Sequence, residues 1–120
     1  MIPIPGFLLH WFKQILYPCR CSIWNSLRAA RDKNGNRYRM VHLPLTRYRV
    51  RGVNDFGLYI NYYVGNEVVL VPKYNDPNDS VAANILGDLY SDKKVVSIDV
   101  RELYKDGGII HCVTQQQPQV

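Results

Sequence analysis

The chain has 120 residues, a mass of 13.9 kDa, 47% hydrophobic residues and a formal net charge of +5. This is one domain's worth of chain with enough apolar content to build a core, which excludes disorder over most of its length. No apolar run approaches the ~20 residues of a membrane helix, and the N-terminus lacks the basic start and cleavage site of a secretory signal, so a cytoplasmic setting without a membrane partner is expected.

The charge is unevenly spread. Residues 1 to 52 carry a net +9, and residues 53 to 120 a net −4. The opening IPIPGF holds prolines at positions 3 and 5, which oppose regular helix. LLHWFKQIL then reads as a short amphipathic helix, stopped by Pro18. Cys19 and Cys21 form a C-x-C pair. Tetrahedral zinc needs a second ligand pair, which the sequence does not offer, so no metal is expected. The odd count of three cysteines also argues against a disulfide framework.

From Trp24, WNSLRAARD reads as the end of a helix, and KNGN at 33 to 36 as a turn in which Asn-Gly tolerates positive φ. RYRMVHLP alternates as a strand, with Tyr38, Met40 and His42 on one face. Arg37 and Arg39, then Arg47, Arg49 and Arg51, alternate as a solvated strand face would. A basic, tyrosine-laced segment can bind nucleic acid through phosphates and stacking, but charge alone does not carry that reading, and no nucleic-acid partner is expected.

The second half is more regular. LYINYYV (58 to 64) and EVVLVP (67 to 72) read as strands joined at Gly65-Asn66 in a hairpin. Asp76 suits a helix N-cap, Pro77 the first helical position, and Asp79 the third as in a capping box. Val81, Ile85, Leu86 and Leu89 follow at helical spacing as an apolar face. KKVVSIDV (93 to 100) is a further strand. Residues 58 to 100 thus spell β-β-α-β, an α/β (α+β) arrangement. Asp106-Gly107-Gly108 is a loop, and IIHCV is expected as a short strand. Cys112 is then either a small packed hydrophobe or a nucleophile. On a strand, neighbouring His111 would face away from it.

The segments LYINYYVGNEVVLVP, YNDPND and KVVSIDVRELYKDGGIIHCVTQQQP closely resemble the C-terminal end of agmatine deiminases. These group with the bacterial-type peptidylarginine deiminases in the guanidine-modifying pentein superfamily. Tyr59 and Asn61 fit the first part of the pattern, and Pro72, Asp76, Pro77 and Asp79 the second. Arg101-Glu102-Leu103, Gly107-Gly108, Ile110-His111-Cys112 and Thr114-Gln115-Gln116 fit the last. The resemblance is strong over 57 to 118, looser over 24 to 45, and absent before about residue 23. It divides the chain into an unmatched leader, 1 to 22, and the C-terminal part of a deiminase domain, 23 to 120.

The resemblance implies a partial pentein β/α-propeller of about two β-β-α-β modules out of five. It implies that Cys112 is the nucleophile that hydrolyses the guanidine of agmatine or of peptidyl-arginine, without a cofactor. Gly107 and Gly108 would let the loop backbone approach and hold the guanidinium. Asp106 stands where the family usually has glycine, and would either attract the cation or raise the thiol pKa. The family's acid-base histidine and guanidinium-gripping carboxylates lie upstream, and residues 1 to 22 show no such motif. The chain alone is therefore expected to be inactive. The competing reading is a non-catalytic remnant whose open sheet edges favour association, as a homo-oligomer or with another protein.

Overall fold

The computed structural model describes the backbone of residues 7 to 10 and 20 to 118, and side chains from 25 to 118. It divides into two compact units, the first ending at Leu43 and the second starting at Pro44. The first holds β1 (Phe7–His10), α1 (Arg20–Ala29) and β2 (Arg39–His42), with β1 and β2 paired in parallel, Phe7 against Arg39 and His10 against His42. Residues 7 to 10 are therefore a strand and not the start of the expected amphipathic helix. Pairing with β2 satisfies their backbone in place of an i to i−4 ladder. The rest of that stretch, the prolines at 3 and 5, and Cys19 lie outside the described residues, as does the side chain of Cys21.

Helix α1 ends as expected near Ala29. The Arg31 guanidinium donates to the carbonyls of Arg28, Ala29 and Ala30 at 3.4, 2.8 and 3.1 Å. A cation placed on the last carbonyls complements the helix dipole. The KNGN turn is closed by Asp32, whose Oδ1 accepts from the backbone N–H of Asn34 and of Asn36, each at 2.8 Å, with Gly35 at φ +83°. The N–H of Asn36 is the largest influence holding the Asp32 carboxyl below its usual range. Along β2, Met40 and Val41 are both half-buried and His42 is exposed, so the expected alternation is not clean.

The second unit begins with β3 (Leu45–Val50), antiparallel to β4 (Asp55–Leu58). The register slips between Leu45 and Arg49. The cause lies in Asp76, whose carboxylate accepts the N–H groups of Arg47 and Tyr48 at 2.9 and 3.0 Å, so these donors bond sideways and not to β4. Arg47, Tyr48 and Arg49 are all exposed. The basic stretch is a solvated face as expected, but Tyr48 shares it, and Arg51 lies in the following turn. Arg49 spans the Phe56 ring at 5.2 Å and donates to the Asn54 carbonyl at 2.5 Å.

A three-stranded sheet follows, in the order β5 (Tyr63–Val64), β6 (Val68–Lys73), β7 (Lys94–Asp99). β5 and β6 are antiparallel, and β6 and β7 parallel, with Val69 opposite Val95. The parallel pair needs a crossover, and α2 (Asn78–Leu89) supplies it, packing on both strands. This is the β-β-α-β unit read from sequence.

Its core is β6 against α2, where Val69, Val71, Ala82 and Leu86 have no exposed surface. Burying a side chain such as Leu86 stabilises by roughly 1.5–3 kcal/mol. Of the apolar face expected from helical spacing, Leu86 is buried and Ile85 and Leu89 are half-buried, but Val81 is exposed and Ala82 takes the buried place beside it. Small Ala82 occupies the close approach to the sheet.

Three boundaries also differ from expectation. The strand expected at 58 to 64 breaks after Leu58, because Asn61 N–H bonds back to the Leu58 carbonyl and turns the chain. The hairpin link is three residues, Gly65 to Glu67, closed by Gly65 N–H to Val68 O at 2.8 Å. Residues His111–Val113 form a 3-10 turn and not a strand. α3 (Arg101–Lys105) precedes that turn, and among the described residues no helix is long and apolar enough to cross a membrane.

Candidate functional site

The site is built from two loops about fifty residues apart in sequence. One follows α3. Gly107 caps that helix in the left-handed region, φ +84°, and its N–H bonds to the Tyr104 carbonyl at 3.1 Å. An added Cβ there would meet nothing within 4 Å, so the dihedral alone calls for glycine. Gly108 has no such φ, and its Cβ would make only ordinary contacts with Val113 and Leu103. Ile109 and Ile110 then plunge into the core, each 4% exposed. With these two anchored, the 3-10 turn lifts Cys112 back to the surface as an exposed free thiol. Thr114 secures the turn through its Oγ1 and N–H, both donating to the His111 carbonyl at 3.1 and 3.3 Å.

The second loop contributes Asn61. Its Nδ2 donates to Cys112 Sγ at 3.2 Å, and its Oδ1 accepts the His111 N–H at 2.8 Å. The residues around Asn61 are fixed. Tyr59 has no exposed surface and donates from its hydroxyl to Asp79 at 2.7 Å, and Tyr62 is buried with its hydroxyl 3.0 Å from that of Tyr90. Burial pushes the Tyr59 and Tyr62 hydroxyls well above the ordinary tyrosine range, keeping them neutral.

The electrostatic result is a thiol whose pKa lies below the ordinary cysteine value. Hydrogen bonding by the Ile109 backbone lowers it most, the Asn61 amide next, and the backbone of Cys112 itself less. Donors aimed at sulfur favour the thiolate, the nucleophilic form. Asp106, a residue that sequence placed as a charge near the thiol, is exposed and is not among the groups that shift it. The expectation that Asp106 raises the thiol pKa does not hold.

The other residues singled out by sequence sort cleanly. His111 sits on a 3-10 turn, where successive side chains are separated by about 120°, and no hydrogen bond joins its ring to Sγ among the described residues. Asp76 and Asp79 are caps. Asp76 Oδ1 accepts the Asn78 N–H at 2.9 Å, while Asp79 reaches back to the Asp76 N–H at 2.9 Å and the Tyr74 N–H at 3.0 Å. Asp99 pairs with Arg101 at 2.7 Å, and Glu102 with Lys105 at 2.7 Å. Among the described residues, no three His, Cys, Asp or Glu side chains group as a metal site.

Asn61 is the residue whose role sequence reasoning missed. It belonged to the quoted pattern, yet nothing in spacing says that residues 61 and 112 meet.

Comparison with known proteins places this geometry. Residues 17–118 match the family model of Porphyromonas-type peptidyl-arginine deiminases. A protein of Latilactobacillus sakei named "Putative agmatine deiminase" is 48% identical over 70 residues, covering 58% of this chain and 19% of that protein. The crystal structure of a "Putative Arginine Deiminase" from Porphyromonas gingivalis superposes with a TM-score of 0.77 at 34% identity, over 92% of this chain and 33% of that one. The agmatine deiminase of Enterococcus faecalis shares the fold, with a TM-score of 0.73 at 24% identity, over 92% of this chain and 36% of that one. The chain thus spans between a fifth and somewhat over a third of the length of these relatives.

Proposed function

Since the chain belongs to the Porphyromonas-type peptidyl-arginine deiminase family, we propose that it supplies the nucleophile, Cys112, of a hydrolase that cleaves a guanidine C–N bond, with agmatine as the substrate. Its fold is part of the pentein β/α-propeller, and β5-β6-α2-β7 has the β-β-α-β order of one of its modules. In the proposed reaction the Cys112 thiolate attacks the guanidinium carbon. A C–N bond breaks and one nitrogen leaves as ammonia, leaving an amidino thioether on Sγ. Water then adds to the same carbon, the C–S bond breaks, and the products are N-carbamoylputrescine and the regenerated thiolate. The backbone carbonyls around Gly107 and Gly108 accept guanidinium N–H groups beside the thiol. A cytoplasmic setting and a place in putrescine formation go with this reading. Peptidyl-arginine, the guanidine in the family's name, is the second substrate to assay.

The observation that carries the proposal is the exposed Cys112 thiol, held on an anchored turn with hydrogen-bond donors lowering its pKa. The same reaction needs an acid to protonate the leaving nitrogen and carboxylates to hold the cation. Among the described residues, no histidine or carboxylate is hydrogen-bonded to Sγ. The chain covers about a third of the length of the two solved relatives, and on this reading the 120-residue chain alone is expected to release no ammonia.

The test is complementation. The chain is mixed with a related agmatine deiminase shortened to lack its own corresponding C-terminal segment. N-carbamoylputrescine and ammonia should appear from agmatine, and Cys112→Ser should abolish both. Silence from the mixture, where the relative's own separated segment restores turnover, would sink the assignment.

A further inference from the structure

We propose that Asn61 is a positioning residue that holds Cys112 Sγ as a thiolate through its side-chain amide. The inference deepens the reading of Cys112 as a nucleophile and rests on it for its functional meaning.

The geometry settles which way the amide faces. A primary amide has one acceptor end and one donor end. The His111 backbone N–H can only donate, and it lies 2.8 Å from one end of the Asn61 amide. That end must be Oδ1, so Nδ2 faces Sγ, 3.2 Å away. The same N–H also reaches the Asn61 backbone carbonyl at 3.4 Å, which ties the two loops together through backbone as well as side chain. The backbone on either side of Asn61 is anchored, because Tyr59 and Tyr62 flank it and are both buried. The backbone that leads into Cys112 is anchored likewise, by buried Ile109 and Ile110.

An N–H fixed on sulfur favours the anion over the thiol, since an anionic sulfur is the stronger acceptor. The effect operates twice in the proposed chemistry. It raises the thiolate fraction before attack on carbon. It is also regained when the C–S bond breaks and negative charge returns to sulfur, which favours departure of Cys112 as the leaving group. Aspartate at this position would keep an acceptor for the His111 N–H but replace the donor with an anion.

The test reads the thiol and involves no guanidine. The rate of Cys112 alkylation by iodoacetamide is followed against pH by mass spectrometry of the Cys112 peptide, in the full 120-residue chain. Asn61→Asp should move the midpoint upward by about one pH unit or more, with the circular dichroism spectrum unchanged. In the unmodified protein, the Asn61 side-chain amide protons should shift in the NMR spectrum with the same midpoint as alkylation. That measurement needs no variant and stands if Asn61→Asp does not fold. A folded Asn61→Asp with an unmoved midpoint, or an Asn61 amide blind to the thiol titration, overturns the proposal. Failed complementation with these results intact would sink the deiminase reading alone.

Discussion

The Asp79 carboxylate ties three separate donors of the second unit together, and replacing it by alanine is the sharpest test of how that unit is held. Its oxygens accept from the Tyr74 N–H at 3.0 Å, the Asp76 N–H at 2.9 Å and the Tyr59 hydroxyl at 2.7 Å. Asp79→Ala removes the two oxygens that accept these three bonds and leaves the donors in place. Tyr59 has no exposed surface and Tyr74 is buried, so water reaches these donors poorly. A stranded buried donor costs about 1–3 kcal/mol, while the cap bond from the Asn78 N–H to Asp76 Oδ1 does not involve Asp79 and stays. Allowing for water reaching the Asp76 N–H, the loss is about 3 kcal/mol. For a unit of this size, 1 kcal/mol corresponds to roughly 4–8 °C in Tm, so differential scanning calorimetry should find Asp79→Ala lower by about 12–24 °C. Asp88→Asn, on the exposed side of α2, is the control and should move by little. Tyr59 also positions the turn that carries Asn61, so the Cys112 thiol should react more slowly in the same variant near neutral pH. A Tm within 2–3 °C of the parent would refute the reasoning, because it would mean that these donors find other partners at no cost.

Two smaller predictions follow. Gly107→Ala places a Cβ in open space but at φ +84°, so chemical denaturation should show a loss of about 1 kcal/mol from the dihedral alone. The Asp99 carboxyl is held low chiefly by its hydrogen bonds to the Arg101 guanidinium. A depressed carboxylate stabilises the fold above its unfolded pKa, and that contribution is lost as pH falls through the folded value. Both partners are exposed, so screening limits the contribution to under about 1 kcal/mol. Asp99→Asn should accordingly flatten the acid limb of the stability curve slightly, an effect that 1 M salt removes.

The parts legible in the sequence were those fixed by short-range rules. The apolar runs of β6 and β7, the glycine turn between β5 and β6, and the Asp-Pro-x-Asp start of α2 each carry their own local reason, and together they give the module. What sequence reading missed depended on partners far along the chain. The break after Leu58 cannot be read from LYINYYV, because β-branched and aromatic residues continue through it. It exists because Tyr59 is drawn in toward Asp79 while Asn61 turns toward His111. The 3-10 turn at Cys112 has the same origin, since Ile109 and Ile110 are both buried where a strand would have put one of them outside. One residue of the packing face of α2 was misjudged for a different reason. Val81 is the larger hydrophobe, but the sheet accepts Ala82. The role proposed for Cys112 came only through family resemblance, because one exposed thiol has no local signature.

The bond between Asn61 and His111 also bears on the order of events during folding. Its two ends enclose the whole β5-β6-α2-β7 unit. A closure of that span pays its loop entropy only once the intervening strands and helix have paired, since they bring its ends together. During synthesis the sulfur therefore meets its amide partner last, after the hydrophobic layer has formed beneath it. Until then Cys112 titrates as an ordinary thiol. The lowering of its pKa by Asn61 is then a late product of folding, and alkylation kinetics during refolding would report completion of the module more directly than any measure of secondary structure.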